Sequence, residues 1–318
     1  MIAQEYKYIG KGPDRIDSFE KLTGEALFVS DMFIQGMLFA KVKSSPHASA
    51  KIKKIDTSKA KALPGVRAVL TGEDLDYRVG LYIVDKYILA RGTVRYQGEG
   101  VAAVAADTED IAREAIDLIE VEYEEIEPVL DVKRALREDS PLVHPELGKY
   151  KYIEAVFSPK PGTNIVHNQK IRKGDIDKGF KEADFIVERE YTNPSVQHVP
   201  METHVSVAKW EKGDKVTIWT SAQSPFTVRN LFCYSFALPH NNVRVIVPYV
   251  GGGFGGKAGI HLEPLCACLS REAGGRPVKL QASREEEFNL LPCRSGLTYK
   301  IKTGVKKSGK IVAQKMEM

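Results

Sequence analysis

The sequence predicts an α+β protein of two domains. Its 318 residues correspond to about two domains of ordinary size. Residues 26–127 alternate short strands with helical segments in a compact α/β pattern, and longer hairpin-like strands follow residue 164. We assign an N-terminal arm to residues 1–20, a first domain to 21–127, a linker to 128–163 and a second domain to 164–318.

The composition is that of a soluble globular protein. Hydrophobic residues make up 43% and charged residues 28%, and 46 basic against 42 acidic residues give a formal net charge of +4. The basic residues form no block, which argues against a nucleic-acid-binding surface. No apolar run approaches the roughly 20 residues that span a bilayer, and the N-terminus MIAQEYKYIGKG lacks the apolar core of a signal peptide. We therefore expect a cytoplasmic protein that binds neither nucleic acid nor membrane.

The first domain is predicted to contain a helix against a buried strand. The small and apolar residues 100–106 indicate a fully buried strand. Thr108 is a suitable N-cap, and the acidic residues after it favour the first turn of a helix. Further strands are predicted at 37–42, 66–70 and 119–123, and a short helix at 56–62.

The second domain is predicted to bring two loops to one pocket. Strands 205–210 and 215–220 form a hairpin, and the second of them leads to Gln223. The β-branched run 243–247 leads to the loop VGGGFGGK at 250–257. Further helices are predicted at 174–183, near 227 and at about 260–273, with strands at 185–192 and 276–283.

The glycine loop is the strongest functional signal. It places five glycines within positions 251–256, and glycine lets backbone approach a ligand closely. A helix that began just after the loop would add free N–H groups and a positive dipole end, so that an anionic ligand is favoured.

Two common phosphate-binding motifs match this loop only in part. A Walker loop requires Ser or Thr after its lysine, but Ala258 follows Lys257. A Rossmann loop requires an acidic residue about 20 positions further on, where this sequence has Gln281 or Ser283. Both the triphosphate and the dinucleotide interpretations therefore fail on chemistry.

The loop GGGFGGK and the upstream segment TSAQSPF resemble the molybdenum-cofactor subunit of the xanthine dehydrogenase and aldehyde oxidase family. The resemblance covers nearly the whole chain and implies an a/b hammerhead domain followed by an incomplete first molybdopterin-binding domain. It also rests on RIDSFEKLTGEALFVSD (15–31), SPHASAKIKKIDTSKAKALPGVRAVLTGEDL (45–75), YQGEGVAAVAADTEDIAREAIDLIEVEYE (96–124), QHVPMETH (197–204) and RPVKLQASREEEF (276–288).

The resemblance implies a molybdenum–molybdopterin cofactor and leaves open whether it is the cytosine dinucleotide form. Gln223 would lie beside the molybdenum and contact an oxygen ligand of the metal. The amide of Gly255 would donate to the apical oxygen, and Phe254 would lie near the metal ligands. No side chain would bind the metal directly. The remaining cofactor-binding positions are Gly251, Gly252, Gly253 and Gly256.

Ala258 and Glu202 are the expected substrate-pocket residues. Ala258 stands where purine-hydroxylating members carry a glutamate, so it leaves a small apolar wall. If residues 201–205 form a strand, Glu202 and His204 share one face and reach the pocket together. The alternative is a buried structural carboxylate bound to backbone. Arg284 is expected to bind neighbouring carboxylates, and the three glutamates after it read as a solvated helix start.

The resemblance implies hydroxylation of an aldehyde or N-heteroaromatic substrate with water as oxygen donor. Electrons would pass to 2Fe-2S clusters and FAD on partner subunits. The family's catalytic glutamate lies in a second cofactor domain, which corresponds to positions beyond residue 318, so we expect a second molybdopterin-binding half or subunit as partner. Two alternatives remain: a component of an aromatic acyl-CoA reductase that removes a hydroxyl group, and a non-catalytic assembly or cofactor-insertion subunit.

Overall fold

The computed structural model describes residues 6–318 and is built around one seven-stranded mixed sheet. The strands are β1 (Leu38–Ser44), β2 (Ala50–Asp56), β3 (Val66–Thr71), β4 (Arg78–Val79), β5 (Lys86–Tyr87), β6 (Thr93–Val94), β7 (Gly100–Ala106), β8 (Glu120–Glu125), β9 (Phe185–Asn193), β10 (Val205–Glu211), β11 (Lys215–Thr220), β12 (Val243–Ile246), β13 (Val278–Gln281), β14 (Leu297–Val305) and β15 (Ile311–Glu317). The α-helices are α1 (Ser18–Thr23), α2 (Ser58–Ala62), α3 (Glu109–Asp117), α4 (Val132–Ala135), α5 (Ile176–Glu182), α6 (Pro225–Phe236), α7 (Glu263–Glu272) and α8 (Arg284–Asn289).

The central sheet joins the two predicted domains. Its strand order is β12-β11-β10-β13-β1-β7-β3, so four strands from the second half of the chain and three from the first form one continuous sheet. The junction is the parallel pairing of β1 with β13, in which Leu38 lies opposite Val278. β10 pairs antiparallel with the other edge of β13, and β7 with the other edge of β1.

Helices cover this sheet and enclose the main core. α7 packs against β10 and β13, and its residues from Glu263 to Ser270 are all buried. α3 packs against β1 and β7 in the first half of the chain. The Thr108 hydroxyl accepts a hydrogen bond from the amide of Ile111 at 3.2 Å, which confirms the predicted N-cap. β7 is buried along its whole length, as its small side chains predicted.

A second sheet, in the order β15-β14-β9, stands apart from the central one. α5 packs against β14 and β15, where Gly304 and Ala313 leave room for it. β9 remains exposed over nearly its whole length. The smaller sheet β6-β2-β8 and the pair β4-β5 complete the first half of the chain.

Four differences from the sequence-based expectations affect the site. The helix expected from about residue 260 begins at Glu263. Residues 201–204, which would place Glu202 and His204 on one face if they formed a strand, lie before β10, which begins at Val205 as predicted. The helix α1 begins within the predicted N-terminal arm and continues to Thr23, and the Tyr249 hydroxyl donates to Glu20 of this helix at 2.7 Å; residues 1–5 lie outside the described part. The segment expected to be a linker contains α4 and buries Leu147 and Tyr150. Within residues 6–318 no helix has the length and apolar character needed to cross a membrane.

Candidate functional site

The glycine loop joins the end of β12 to the start of α7 through left-handed backbone. The angle φ is +98° at Gly252, +52° at Phe254 and +97° at Gly255. Only glycine adopts such angles without strain, so Gly252 and Gly255 are required by backbone geometry. Phe254 is the exception, and its side chain projects outward with 74% of the residue exposed.

Gln223 fixes the loop through its side-chain carbonyl oxygen. Gln223 Oε1 accepts hydrogen bonds from the amides of Gly255 at 2.8 Å and Lys257 at 3.2 Å. The amide of Gln223 donates in turn to the carbonyl of Lys257 at 2.8 Å. A Cβ at Gly253 would lie 2.6 Å from Gln223 Oε1, so this glycine is required by close approach. The Nε2 group of Gln223 has no hydrogen-bond partner among residues 6–318 and is free to donate.

A buried ion pair supports the loop from the protein side. Lys257 Nζ lies 2.8 Å from Glu202 Oε2 and 2.9 Å from the Glu202 carbonyl oxygen, and both side chains are almost fully buried. Glu202 Oε2 also accepts from the amide of Gly251 at 2.8 Å. One carboxylate oxygen therefore binds both ends of the loop. Glu202 Oε1 is buried and has no partner in the described chain.

A second buried pair lies beside the first. His204 Nδ1 is 2.8 Å from Glu287 Oε1, and His204 Nε2 is 3.2 Å from the carbonyl oxygen of Gly256. Burial raises the pKa of Glu287, but its hydrogen bonds to His204 and the charge of that residue outweigh burial, so the pKa lies below its usual value. The ring of His261 meets the ring of His204 edge-on, with centroids 5.1 Å apart. Burial, together with the charges of His204 and Lys86, lowers the pKa of His261 to about 3.

The structure corrects three expectations about the side chains around the loop. Arg284 does not bind carboxylates; its Nη2 donates to the carbonyl oxygens of Pro200 at 2.6 Å and Met201 at 3.1 Å. Glu287 is fully buried rather than solvated, because it turns inward to bind His204. Glu202 binds Lys257 and backbone, which favours the structural alternative over a substrate contact.

The backbone donors also differ from the expected set. In this structure the Gly255 amide is engaged by Gln223, so it is not free for a metal oxygen. Within the loop, the amides of Gly252, Gly253 and Phe254 have no acceptor among residues 6–318. α7 begins six residues after Lys257 and carries the buried Glu263 in its first turn, so its N-terminus adds no positive end at the loop.

These donors and the open backbone fit a bound cofactor rich in oxygen ligands. A Cβ at Gly255 would meet only His198 Nε2, at 3.7 Å, so the backbone there faces open space. The amide groups and Gln223 Nε2 supply hydrogen-bond donors, and the described residues contain no cluster of His, Cys, Asp or Glu that would bind a metal directly. Gln223 and the glycine loop therefore meet at one surface, as the sequence predicted. Glu202 lies beneath that surface, and Ala258 is half-buried at its edge.

Sequence reasoning missed the support beneath the loop. The sequence presents Lys257 only as part of a partial phosphate-binding motif and Glu287 only as one of three consecutive glutamates. No local signal reveals their burial, because their partners Glu202 and His204 lie far away in the sequence.

The fold and this loop define a class of protein, a subunit that binds a molybdopterin cofactor. The chain belongs to the aldehyde oxidase and xanthine dehydrogenase family. Residues 157–318 match the molybdopterin cofactor-binding domain, and residues 23–127 match the a/b hammerhead domain of aldehyde oxidase and xanthine dehydrogenase. The predicted family and the predicted α+β fold are confirmed.

Several proteins resemble this chain along nearly its whole length. The nicotinate dehydrogenase large molybdopterin subunit of Eubacterium barkeri is 35% identical, with 100% of this chain and 71% of the relative covered. The probable hypoxanthine oxidase XdhD of Escherichia coli (strain K12) is 34% identical, with 98% of this chain covered. Two solved structures superpose with a TM-score of 0.83: CO dehydrogenase from Oligotropha carboxidovorans, 33% identical over 96% of this chain, and quinoline 2-oxidoreductase from Pseudomonas putida 86, 30% identical over 98%. The chain spans only 36% of the hypoxanthine oxidase and 39% of each solved chain.

The buried ion pair yields a stability prediction. Lys257→Met leaves the Glu202 carboxylate buried without a counter-charge, and we expect it to lower the free energy of unfolding by about 3–5 kcal/mol. Lys209→Met is the control, because the exposed pair of Lys209 with Glu211 contributes less than about 1 kcal/mol. Urea denaturation measures both. If Lys257→Met lowered the free energy of unfolding no more than the control does, the pair would not hold the loop.

The neutral His261 yields a prediction about pH. An unfolded histidine takes up a proton below about pH 6.5, whereas folded His261 does so only near pH 3, so stability falls as the pH is lowered between these values. The loss is about 1.4 kcal/mol per pH unit. His261→Phe and His261→Asn remove the titrating group, and we expect their loss in unfolding free energy between pH 7 and pH 5 to be smaller by about 2 kcal/mol. An unchanged pH dependence in both variants would contradict the burial of a neutral ring.

Proposed function

We propose that this chain is the molybdenum-cofactor-binding component of a molybdenum hydroxylase that acts on an aldehyde or an N-heteroaromatic compound. The observation that carries the proposal is the surface formed by Gln223 and the glycine loop. There, hydrogen-bond donors without an acceptor lie beside exposed glycine backbone. When bound, the cofactor supplies redox chemistry and a water-derived oxygen for the substrate. Its nucleotide form, whether the cytosine dinucleotide or another, is not decided by this half of the cradle.

The residues of this chain bind and orient the cofactor. Gln223 Nε2 would donate to an oxygen ligand of the cofactor, while Oε1 holds the loop in place. The amides of Gly252, Gly253 and Phe254 would supply further donors, and the exposed Phe254 side chain would lie near the bound group. The Gly255 amide, a donor in the family resemblance, would be available only if its bond to Gln223 Oε1 broke.

The remaining functions belong to partners. The chain covers 36% to 39% of the length of several relatives. In this proposal, a second molybdopterin-binding half or subunit completes the cofactor-binding site and supplies the general base. Electrons leave to an iron–sulfur subunit with 2Fe-2S clusters and then to a FAD subunit. The name of the relative of which this chain covers 71%, a large molybdopterin subunit, supports a role as one subunit of a complex.

The Gln223 contacts provide the test of cofactor binding. Gln223→Ala removes one donor and releases two loop amides, so we expect the assembled complex to lose turnover by roughly 10- to 100-fold and to retain less molybdenum. Gln169→Ala changes an exposed glutamine away from the loop and is the matched control. Molybdenum analysis and steady-state rates measure the effect. Full metal content with normal turnover in Gln223→Ala would refute the proposed site.

The apolar side chain of Ala258 provides the test of substrate preference. A purine would bury ring N–H and C=O groups without partners there, at about 1–3 kcal/mol for each group. We therefore expect the complex to prefer an aromatic aldehyde or nicotinate to xanthine by at least about tenfold in kcat/KM. Ala258→Glu should lower the ratio of kcat/KM for the aldehyde or nicotinate to kcat/KM for xanthine. Faster turnover of xanthine at low concentration in the unaltered complex would contradict the argument.

A further inference from the structure

A cavity of about 650 Å³ opens immediately beyond the glycine loop. Gly259, which follows Ala258, belongs to its wall, and residues from the first half of the chain close the opposite side. Stacked rings of Tyr82 and Phe157, with centroids 5.7 Å apart, form part of the lining. The other walls are mostly apolar, with Leu81, Ile260, Leu262 and Phe288 among them. Its size and walls suit a small aromatic molecule.

Two polar atoms on residues that line this cavity have no partner. The Tyr96 hydroxyl and His261 Nε2 are buried, and neither has a hydrogen-bond partner within residues 6–318. A buried polar atom without a partner costs about 1–3 kcal/mol, so such atoms are normally satisfied by a ligand or by water. Both residues belong to the lining of one apolar cavity, so the polar groups of a bound ligand are candidate partners for these atoms.

Lys86 adds a positive charge to the same lining. The residue is exposed to solvent, and its side chain lines the cavity. Its ammonium group lies 5.4 Å from the centroid of the Tyr96 ring, and it forms no salt bridge within the described chain. Desolvation lowers the pKa of Lys86, but its interactions with the Tyr96 side chain and then with the carboxylates of Glu99 and Asp85 raise it by more, so the ammonium is charged at neutral pH.

The nearby carboxylates leave this charge available. Glu99 is buried, and one of its oxygens accepts from the amide of Arg95 at 2.6 Å. Burial raises the pKa of Glu99 above its usual value. Asp85, the carboxylate on the lining, lies 3.9 Å from His144 Nε2.

We infer that this cavity binds an aromatic or heteroaromatic carboxylate, with the ring between the apolar walls and the carboxylate on Lys86 and the Tyr96 hydroxyl. His261 Nε2 then meets a polar ring atom. Lys86 determines specificity, because it provides the unpaired cation that selects an acid over a neutral ring. The identification of this acid as the substrate rests on the proposed function; its binding does not.

The test measures binding to the full chain without a cofactor. Benzoate and nicotinate are titrated against the 318-residue chain by calorimetry, with benzamide as the neutral analogue of the same shape. We expect benzoate to bind at least about tenfold more tightly than benzamide, because only the acid pairs with the ammonium. Equal affinity for the two compounds, or no binding of either acid at millimolar concentration, overturns the inference.

Variants locate the bound acid. Lys86→Met should weaken benzoate binding about tenfold or more and leave benzamide binding unchanged, and Lys86→Arg should retain the preference for the acid. Tyr96→Phe should weaken benzoate binding by a smaller factor. Lys212→Met changes an exposed turn lysine and is the control. Thermal melting shows that each variant is folded. Unchanged benzoate binding in folded Lys86→Met overturns the inference. A different result, in which the chain binds benzoate but its complex never retains molybdenum, refutes only the proposed function.

Discussion

The buried ion pair of Lys257 with Glu202 is the constraint on which the site depends. A lysine and a glutamate buried this deeply are tolerated only as partners, and their contact fixes the position of both chain segments that carry them. Glu202 Oε2 also accepts from Gly251, so the first glycine and the final lysine of the loop are bound to one atom. These bonds hold the strained backbone of the loop in a single conformation. They leave the exposed glycine backbone free to contact a ligand.

The three supports of the loop differ in chemistry and in depth. Gln223 binds the loop at the protein surface through neutral hydrogen bonds, which can rearrange when a ligand arrives. The Glu202–Lys257 pair and the His204–Glu287 pair lie beneath and are charged and buried, which makes them rigid. An adaptable upper contact on a rigid base is suited to a site that must accept a large, multiply hydrogen-bonded cofactor.

The sequence was sufficient for local structure and for the proximity of Gln223 to the glycine loop, whereas the roles of these residues at a cofactor stay predictions. β7, the N-cap of α3 and the β10–β11 hairpin follow from residue types at fixed spacing, and these signals are local. The family resemblance identified Gln223 and the glycine loop as neighbours. The sequence did not reveal the inward turn of Glu287, the backbone partners of Arg284 or the engagement of the Gly255 amide, because each depends on segments that meet only in the folded chain. The shared central sheet escaped prediction for the same reason.

The pairing of β1 with β13 has a consequence for the order of events during synthesis. Leu38 and Val278 are separated by 278 − 38 = 240 positions, so the first strand is complete long before its parallel neighbour exists. At about 5–20 residues per second, a ribosome needs roughly 12–48 s to supply that neighbour. Once β7 has been synthesised, β1 can pair with it on one side, while the other edge of β1 still presents unpaired backbone groups. The nascent chain is therefore open to mispairing with other strands at this edge until β13 exists.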